Sequence, residues 1–187
     1  MADCYTFSDI AEAVSCSDAD NVAGTTSEIE VGYADDVAVW PDKPSAEGSA
    51  MTFAAAGTLT GNLTVKKGAA RCKVVFTRNT GEFTMTEQGE AGGENVLYSV
   101  TLERAKMTAE IFGFLNATRG RRLWAKVTDK NGNKYLLGDA INQAYRVPAD
   151  AVTTGKESSS VNKVPIKIEY VASRNLVWTG DVEEANS

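Results

Sequence analysis

The chain has 187 residues, 43% hydrophobic and 24% charged, with a net charge of −6 and no histidine. A chain of that length buries a sizeable core without disulfides or metal. Its acidity argues against a tight grip on nucleic acid, and the missing histidine excludes Ser–His and Cys–His nucleophile pairs.

The charge is unevenly spread. Residues 1–50 hold 11 of the 25 acidic residues but only one of the 19 basic ones, Lys43. An acidic first part and a basic remainder suit head-to-tail association between copies. No stretch is long and apolar enough to span a bilayer. MADCYTFSDIAEAVSCSDAD has neither a basic leader nor an apolar run, so no secretory signal is expected. Cys4, Cys16 and Cys72 are odd in number and form no CxxC pair, which predicts free, reduced thiols rather than a zinc site or a disulfide framework.

In chain order, FSDIAEAV (7–14) reads as a short helix or turn with Ser8 as its cap. SEIEVGY (27–33) alternates Ile29, Val31 and Tyr33 with Glu28, Glu30 and Gly32, the period of a half-buried strand. Asp35 and Asp36 follow it. WPDKPSAEGSAMTFAAAG (40–57) is rich in proline, glycine and small residues and reads as a loop arm. TLTGNLTV (58–65) puts Leu59, Leu63 and Val65 on one face. CKVVFTR (72–78) and EFTMTEQ (82–88) are two strands around an Asn-Thr-Gly break, which predicts a hairpin. In the second of these, Glu82, Thr84 and Thr86 share a face.

QGEAGGEN (88–95) reads as a flexible loop. NVLYSVTL (95–102) turns Val96, Tyr98, Val100 and Leu102 to one side. A helix is predicted over 103–116, with Met107, Ile111, Phe114 and Leu115 along one face. RGRRLW (119–124) is the densest basic patch, with Arg119, Arg121 and Arg122. LWAKVTD and KYLLG flank Asn131-Gly132 as a predicted two-residue hairpin. TTGKESSSVN (153–162) is a second loop arm. KVPIKIEYV (163–171) turns Val164, Ile166, Ile168 and Tyr170 inward, and Pro165 predicts that this strand lies at an edge or starts near the proline.

Little of this carries chemistry. VTDKNGNKYLLGD (127–139) begins like a calcium loop, with oxygen-bearing side chains at Asp129, Asn131 and Asn133. Counted from Asp129, however, the sixth position is Lys134 and the twelfth Ala140, where an EF-hand needs glycine and a bidentate glutamate. TTGKESS has a Gly-Lys step without the upstream glycine or the strand–loop–helix setting of a P-loop. No pair of carboxylates stands out for glycoside chemistry. The residues therefore predict no enzyme, no catalytic residue, no metal and no cofactor.

GTTSEIEVGYADDVAVWPDKP, TRNTGEFTMTEQGEAGGEN, DKNGNKYLLGDA and TTGKESSSVNKVPIKIEYVASRNLVWTG span most of the chain. In style and order they resemble the tail tube (major tail) proteins of long-tailed bacteriophages, of the kind found in phages and prophages of Bacteroides-like bacteria. The resemblance implies a single domain over 1–187. It would be mainly β, a sandwich or barrel-like core of antiparallel strands with one flanking helix. It would have an acidic N-terminal segment (1–28) and arms at 40–57 and 153–162. It also implies hexameric rings whose inner strands form a continuous barrel, stacked head to tail into a conduit for genomic DNA at ejection. Such a protein is made in the bacterial host cytoplasm and ends in the virion. Its partners would be other copies, other tail proteins and DNA that passes without specific binding.

On this reading Arg119, Arg121, Arg122, Asp35 and Asp36 are candidate contacts between copies, and Glu82, Thr84 and Thr86 are candidate lumen-facing residues. Two alternatives stay open. One is another structural phage protein, for head–tail joining, tail termination or capsid decoration. The other is a carbohydrate- or surface-binding sandwich using Trp40, Trp124 and Trp178 as stacking platforms.

Overall fold

In chain order the computed structural model has β1 (Tyr5–Thr6), β2 (Glu28–Tyr33), a 3₁₀ turn (Ala34–Asp36), β3 (Val37–Val39), β4 (Met51–Thr52), α1 (Phe53–Ala56), β5 (Thr58–Leu59), β6 (Leu63–Val65), β7 (Arg71–Val75) and β8 (Glu82–Gln88). Then come β9 (Asn95–Ala105), α2 (Ala109–Ala117), β10 (Leu123–Thr128), β11 (Lys134–Leu137), β12 (Tyr145–Val147), β13 (Lys163–Ala172), β14 (Val177–Trp178) and β15 (Val182–Glu184). The structure describes residues 5–6, 23–45, 51–154 and 162–185. The expected element at 7–14 and most of the arm at 153–162 lie outside them.

Two sheets make the main sandwich. One is six-stranded, in the order β5-β14-β11-β10-β2-β7, and the other four-stranded, in the order β12-β13-β9-β8. Alternation assigns their facing sides. Ile29, Val31, Leu123, Ala125 and Val127 of one sheet meet Val96, Tyr98, Val100, Leu102, Val164, Ile166 and Ile168 of the other in one core. The alternate residues of the six-stranded sheet feed a second core on its other side. There Trp124, Leu136 and Trp178 pack with Leu59, Leu63 and Val65. A three-stranded sheet, β15-β6-β3, covers that side. Gly32 makes room for this arrangement, because a Cβ there would sit 2.8 Å from the Trp124 indole.

Among the described residues the chain is thus mainly β with one substantial helix, as expected, but several local expectations need correction. The helix begins later than 103. Glu103 and Ala105 still pair with Pro165 and Lys163, so β13 holds the chain in strand form until Lys106, whose φ is +69°. Thr108 then caps the helix, its Oγ1 accepting from the Ile111 amide at 3.4 Å. At the other end the Arg146 guanidinium donates to the Leu115 carbonyl at 3.0 Å, a cation where the helix dipole favours one.

The strands around Asn79 do not form a hairpin. β7 pairs with β2 and β8 with β9, so residues 76–81 carry the chain from one sheet to the other. Thr80 Oγ1 donates to the Thr77 carbonyl at 2.7 Å, and Gly81 lies where a Cβ would collide with Thr25 Oγ1 at 2.2 Å. TLTGNLTV is likewise two strands, broken at Gly61 (φ +91°).

β13 is an interior strand that starts two residues before Pro165, so of the two expected positions the start of the strand holds. β12 reaches only Lys167–Glu169 of it, and Thr153 bridges Lys163. Pro165 falls in the gap between those two partners, where no amide is needed.

The β10–β11 connection is a hairpin, but with a three-residue loop rather than two. The Gly132 amide donates to the Asp129 carbonyl at 3.2 Å and Gly132 alone takes a positive φ, +88°, a turn followed by a glycine bulge. The described part of the 40–57 arm is not free either. Lys43 pairs with Asp139 at 2.7 Å, Arg174 donates to the Pro44 carbonyl at 2.7 Å, and β4 pairs in parallel with β1.

Candidate functional site

The four-stranded sheet presents its second side to solvent. Cross-strand partners share a side, and the register sets out its rows. Glu82, Thr101, Lys167 and Val147 form one row, and Thr84, Ser99, Glu169 and Tyr145 the next. Thr86, Leu97 and Val171 form the third. Glu82, Thr84 and Thr86 are thus brought to one open face, all exposed. Of the expected pair of strands at 72–88, only β8 belongs to this sheet.

The face carries almost no free charge. Lys167 pairs with Glu169 at 2.6 Å. Beyond the last full row, Lys163 pairs with Glu103 at 2.5 Å, and that bond and charge raise the lysine's pKa. Glu82 has no ion-pair partner among the described residues. What remains is threonine and serine hydroxyls, the apolar side chains of Leu97, Val147 and Val171, Tyr145, and one carboxylate, Glu82, without an ion-pair partner among the described residues.

Among the described residues no strand pairs with the outer edge of β8, whereas beside β12 the adjoining Ala144 bridges Leu123 of β10. β8 is seven residues long and six of them are exposed, a row of unpaired backbone groups ready for another strand. At the other edge, beside β12, the surface turns apolar. Ile141 is 83% exposed, and with Tyr145 and Val171 it borders a hollow of about 340 Å³.

The candidate charged contacts lie elsewhere, around the start of β10 and the turn after β2. There the structure brings two of them together within one chain. Arg122 Nη2 donates to Asp35 Oδ1 at 2.5 Å, with both side chains about half exposed. Arg119 and Arg121 have no carboxylate within 4.0 Å among the described residues, and Asp36 has no ion-pair partner there. Sequence spacing gave no sign of the Arg122–Asp35 pair, because 87 residues separate its members.

The outer charges of the six-stranded sheet neutralise one another. Asp181 bonds Lys126 at 2.5 Å and Lys134 at 3.1 Å, and Lys73 pairs with Glu28 at 3.0 Å. Burial nudges the Asp181 carboxyl upward, but Lys126, the Val182 amide and Lys134 outweigh it and hold the group at about 2.

The calcium-like loop is committed to its own turn. Asp129 Oδ1 accepts from the Asn131 and Asn133 amides at 2.9 and 2.8 Å, and Oδ2 from the Asn133 side chain at 2.9 Å. The aromatic platforms are committed too. Trp124 and Trp178 are 0% and 1% exposed and Trp40 packs against their cluster, which leaves Trp124 and Trp178 no face for a sugar. Compared with protein-family models, curated proteins and solved structures, the chain gives no match in any of the three.

Proposed function

We propose that this chain is a structural subunit that assembles with copies of itself into stacked rings. Its four-stranded sheet would line a conduit through which DNA passes, as in the phage tail tube proteins its sequence resembles. The observation that carries the reading is a sheet open along β8 whose solvent face offers hydroxyls and apolar side chains and, among the described residues, no free cation. An open edge invites strand pairing between copies, and in a ring β8 of one copy would meet β12 of the next. That contact would also cover the apolar corner at Ile141, since exposed apolar surface favours burial.

The chemistry of the open face fits passage rather than binding. A surface that grips DNA does so by neutralising phosphates with lysine and arginine. Here Lys163 and Lys167 are each held by a glutamate, and Glu82 adds repulsion. Hydroxyls hydrated by water let a polyanion slide. Six-fold rings, a virion location and contacts with other tail proteins follow from the same resemblance.

Negative-stain electron microscopy of the purified chain over a range of concentrations tests the proposal. Rings or hollow tubes with a regular axial repeat are expected. Single rings that never stack would move the assignment to a joining or terminating role. Monomers at every concentration would remove it.

A further inference from the structure

The six-stranded sheet ends at β7, and among the described residues no strand pairs with its outer edge. One side of that edge is also uncovered. Cys72 stands opposite Val31 in the register, so the two side chains share the face turned toward α2. Val31 is 2% exposed, whereas Cys72 is open to solvent. Between this face and the helix lies a groove of about 300 Å³. Val31, Cys72 and Leu123 line its sheet side, and Gly113, Phe114 and Ala117 its helix side. Gly113 keeps it wide, since a Cβ added there would meet nothing within 4 Å.

Positive charge stands beside this apolar slot. Thr118 is the last residue at the helix end to line the groove, and Arg119 follows it. Arg119 and Arg121 are exposed and have no ion-pair partner among the described residues. Burial and the Arg119 charge together lower the pKa of Arg146, so the cations here repel one another. On the opposite side of β7 the charges are already matched, Arg71 by Glu30 and Lys73 by Glu28.

We propose that β7 and α2 together receive an extended acidic peptide of another protein, added as a strand along β7. A free strand edge supplies main-chain hydrogen bonds to a chain in extended form. Alternation then turns every second side chain of the added strand toward α2, where the slot is apolar. The unmatched arginines select carboxylates flanking those apolar residues. A helix laid in the slot would leave the β7 edge unpaired. The inference goes beyond the self-assembly reading and does not depend on it.

The probe is a synthetic peptide of three valines alternating with threonines, with two aspartates at each end and a fluorescein label. Its binding to the full chain carrying Cys4→Ser and Cys16→Ser is read by fluorescence anisotropy. Alkylation of Cys72 by iodoacetamide is followed by mass spectrometry. At about ten times its Kd the peptide should slow that alkylation about tenfold, and its binding should weaken as salt rises. Arg119→Glu should weaken binding about fivefold, and Gly113→Leu, which fills the slot, should abolish it. Of two peptides N-methylated on the valines or on the threonines, one should lose binding, because only alternate amides face β7. Retention by both would overturn the strand addition. Absence of binding with unchanged Cys72 alkylation would overturn the proposal, as would equal binding of a peptide with lysines in place of the aspartates. Protection of Cys72 that grows with protein concentration, without peptide, would give the groove to a second copy and overturn the choice of another protein.

Discussion

Tyr170 donates its hydroxyl to Asp139 at 2.5 Å in a buried contact that ties the four-stranded sheet to the loop after β11. The same carboxylate accepts from Lys43 and from the Ile141 and Asn142 amides, each at 2.7 Å. Burial pushes the Asp139 carboxyl up, but Lys43, Tyr170 and the two amides outweigh it and hold it below the usual range. Burial and the adjacent carboxylate push the Tyr170 phenol up, so it stays a donor. Tyr170→Phe should cost about 1–3 kcal/mol at neutral pH, read as a shift in urea midpoint.

That cost should depend on pH in a defined direction. A carboxyl with a depressed native pKa adds stability above its unfolded value, and the contribution is lost as pH falls through the native value. Removing the Tyr170 hydroxyl raises the native pKa of Asp139. The gap between wild type and Tyr170→Phe should therefore be fully present above about pH 5 and shrink as the pH is lowered past 4. Urea titrations at several pH values would show it, and a gap that widens in acid would contradict the arrangement.

Two glycines should respond to alanine in opposite senses. At Gly180 the added Cβ would lie 1.9 Å from the Gly61 carbonyl oxygen, a backbone atom that also accepts the Trp178 indole N–H at 2.8 Å. Gly180→Ala should lower stability by at least about 2 kcal/mol. Gly113 lies inside α2 with open space around it, and Gly113→Ala should raise stability by about 0.5–1 kcal/mol through the lower entropy of the unfolded chain. Thermal unfolding of both variants reads the contrast.

Reversing charge at Arg121 and Arg122 should leave the subunit folded and impair stacking. The Arg122–Asp35 pair is exposed on both sides, and such pairs are worth about 0–1 kcal/mol. Circular dichroism should be unchanged while light scattering shows shorter assemblies. Normal tubes from the double variant would remove these arginines from the stacking contact.

Adding cations to the open sheet face should make it hold DNA. Thr84→Lys with Thr86→Lys places two lysines on the exposed side of β8, of which Glu82 can neutralise one and leave the other free. Assembled protein of this variant should retain DNA at low salt and release it as salt rises, whereas wild type should not retain it. A filter-retention assay over a salt series measures this.

The strand faces were legible in the sequence because burial on one side imposes a period of two. Val96, Tyr98, Val100 and Leu102 are all inside, as are Val164, Ile166, Ile168 and Tyr170. The partners of those strands were not legible. A short turn between β7 and β8 looks the same whether the strands pair with each other or enter different sheets, and only the distant β2 and β9 decide. Pro165 was legible only as a choice between an edge and a strand start, and the start of β13 at Lys163 settles it, because the gap opposite the proline leaves no local trace. The Arg122–Asp35 pair joins segments far apart in sequence, so the sequence could name both residues as charge contacts but not that they meet within one chain.

The β9–β13 ladder runs through ten consecutive residue pairs, from Lys163 opposite Ala105 to Ala172 opposite Val96. A force applied along those strands loads the ladder in shear, so its hydrogen bonds share the strain and must fail together. A force applied across them would unzip one bond at a time. The subunit is consequently stiff along one axis and compliant across it, and a wall built from such sheets would resist stretching along the strand direction far better than parting between strands.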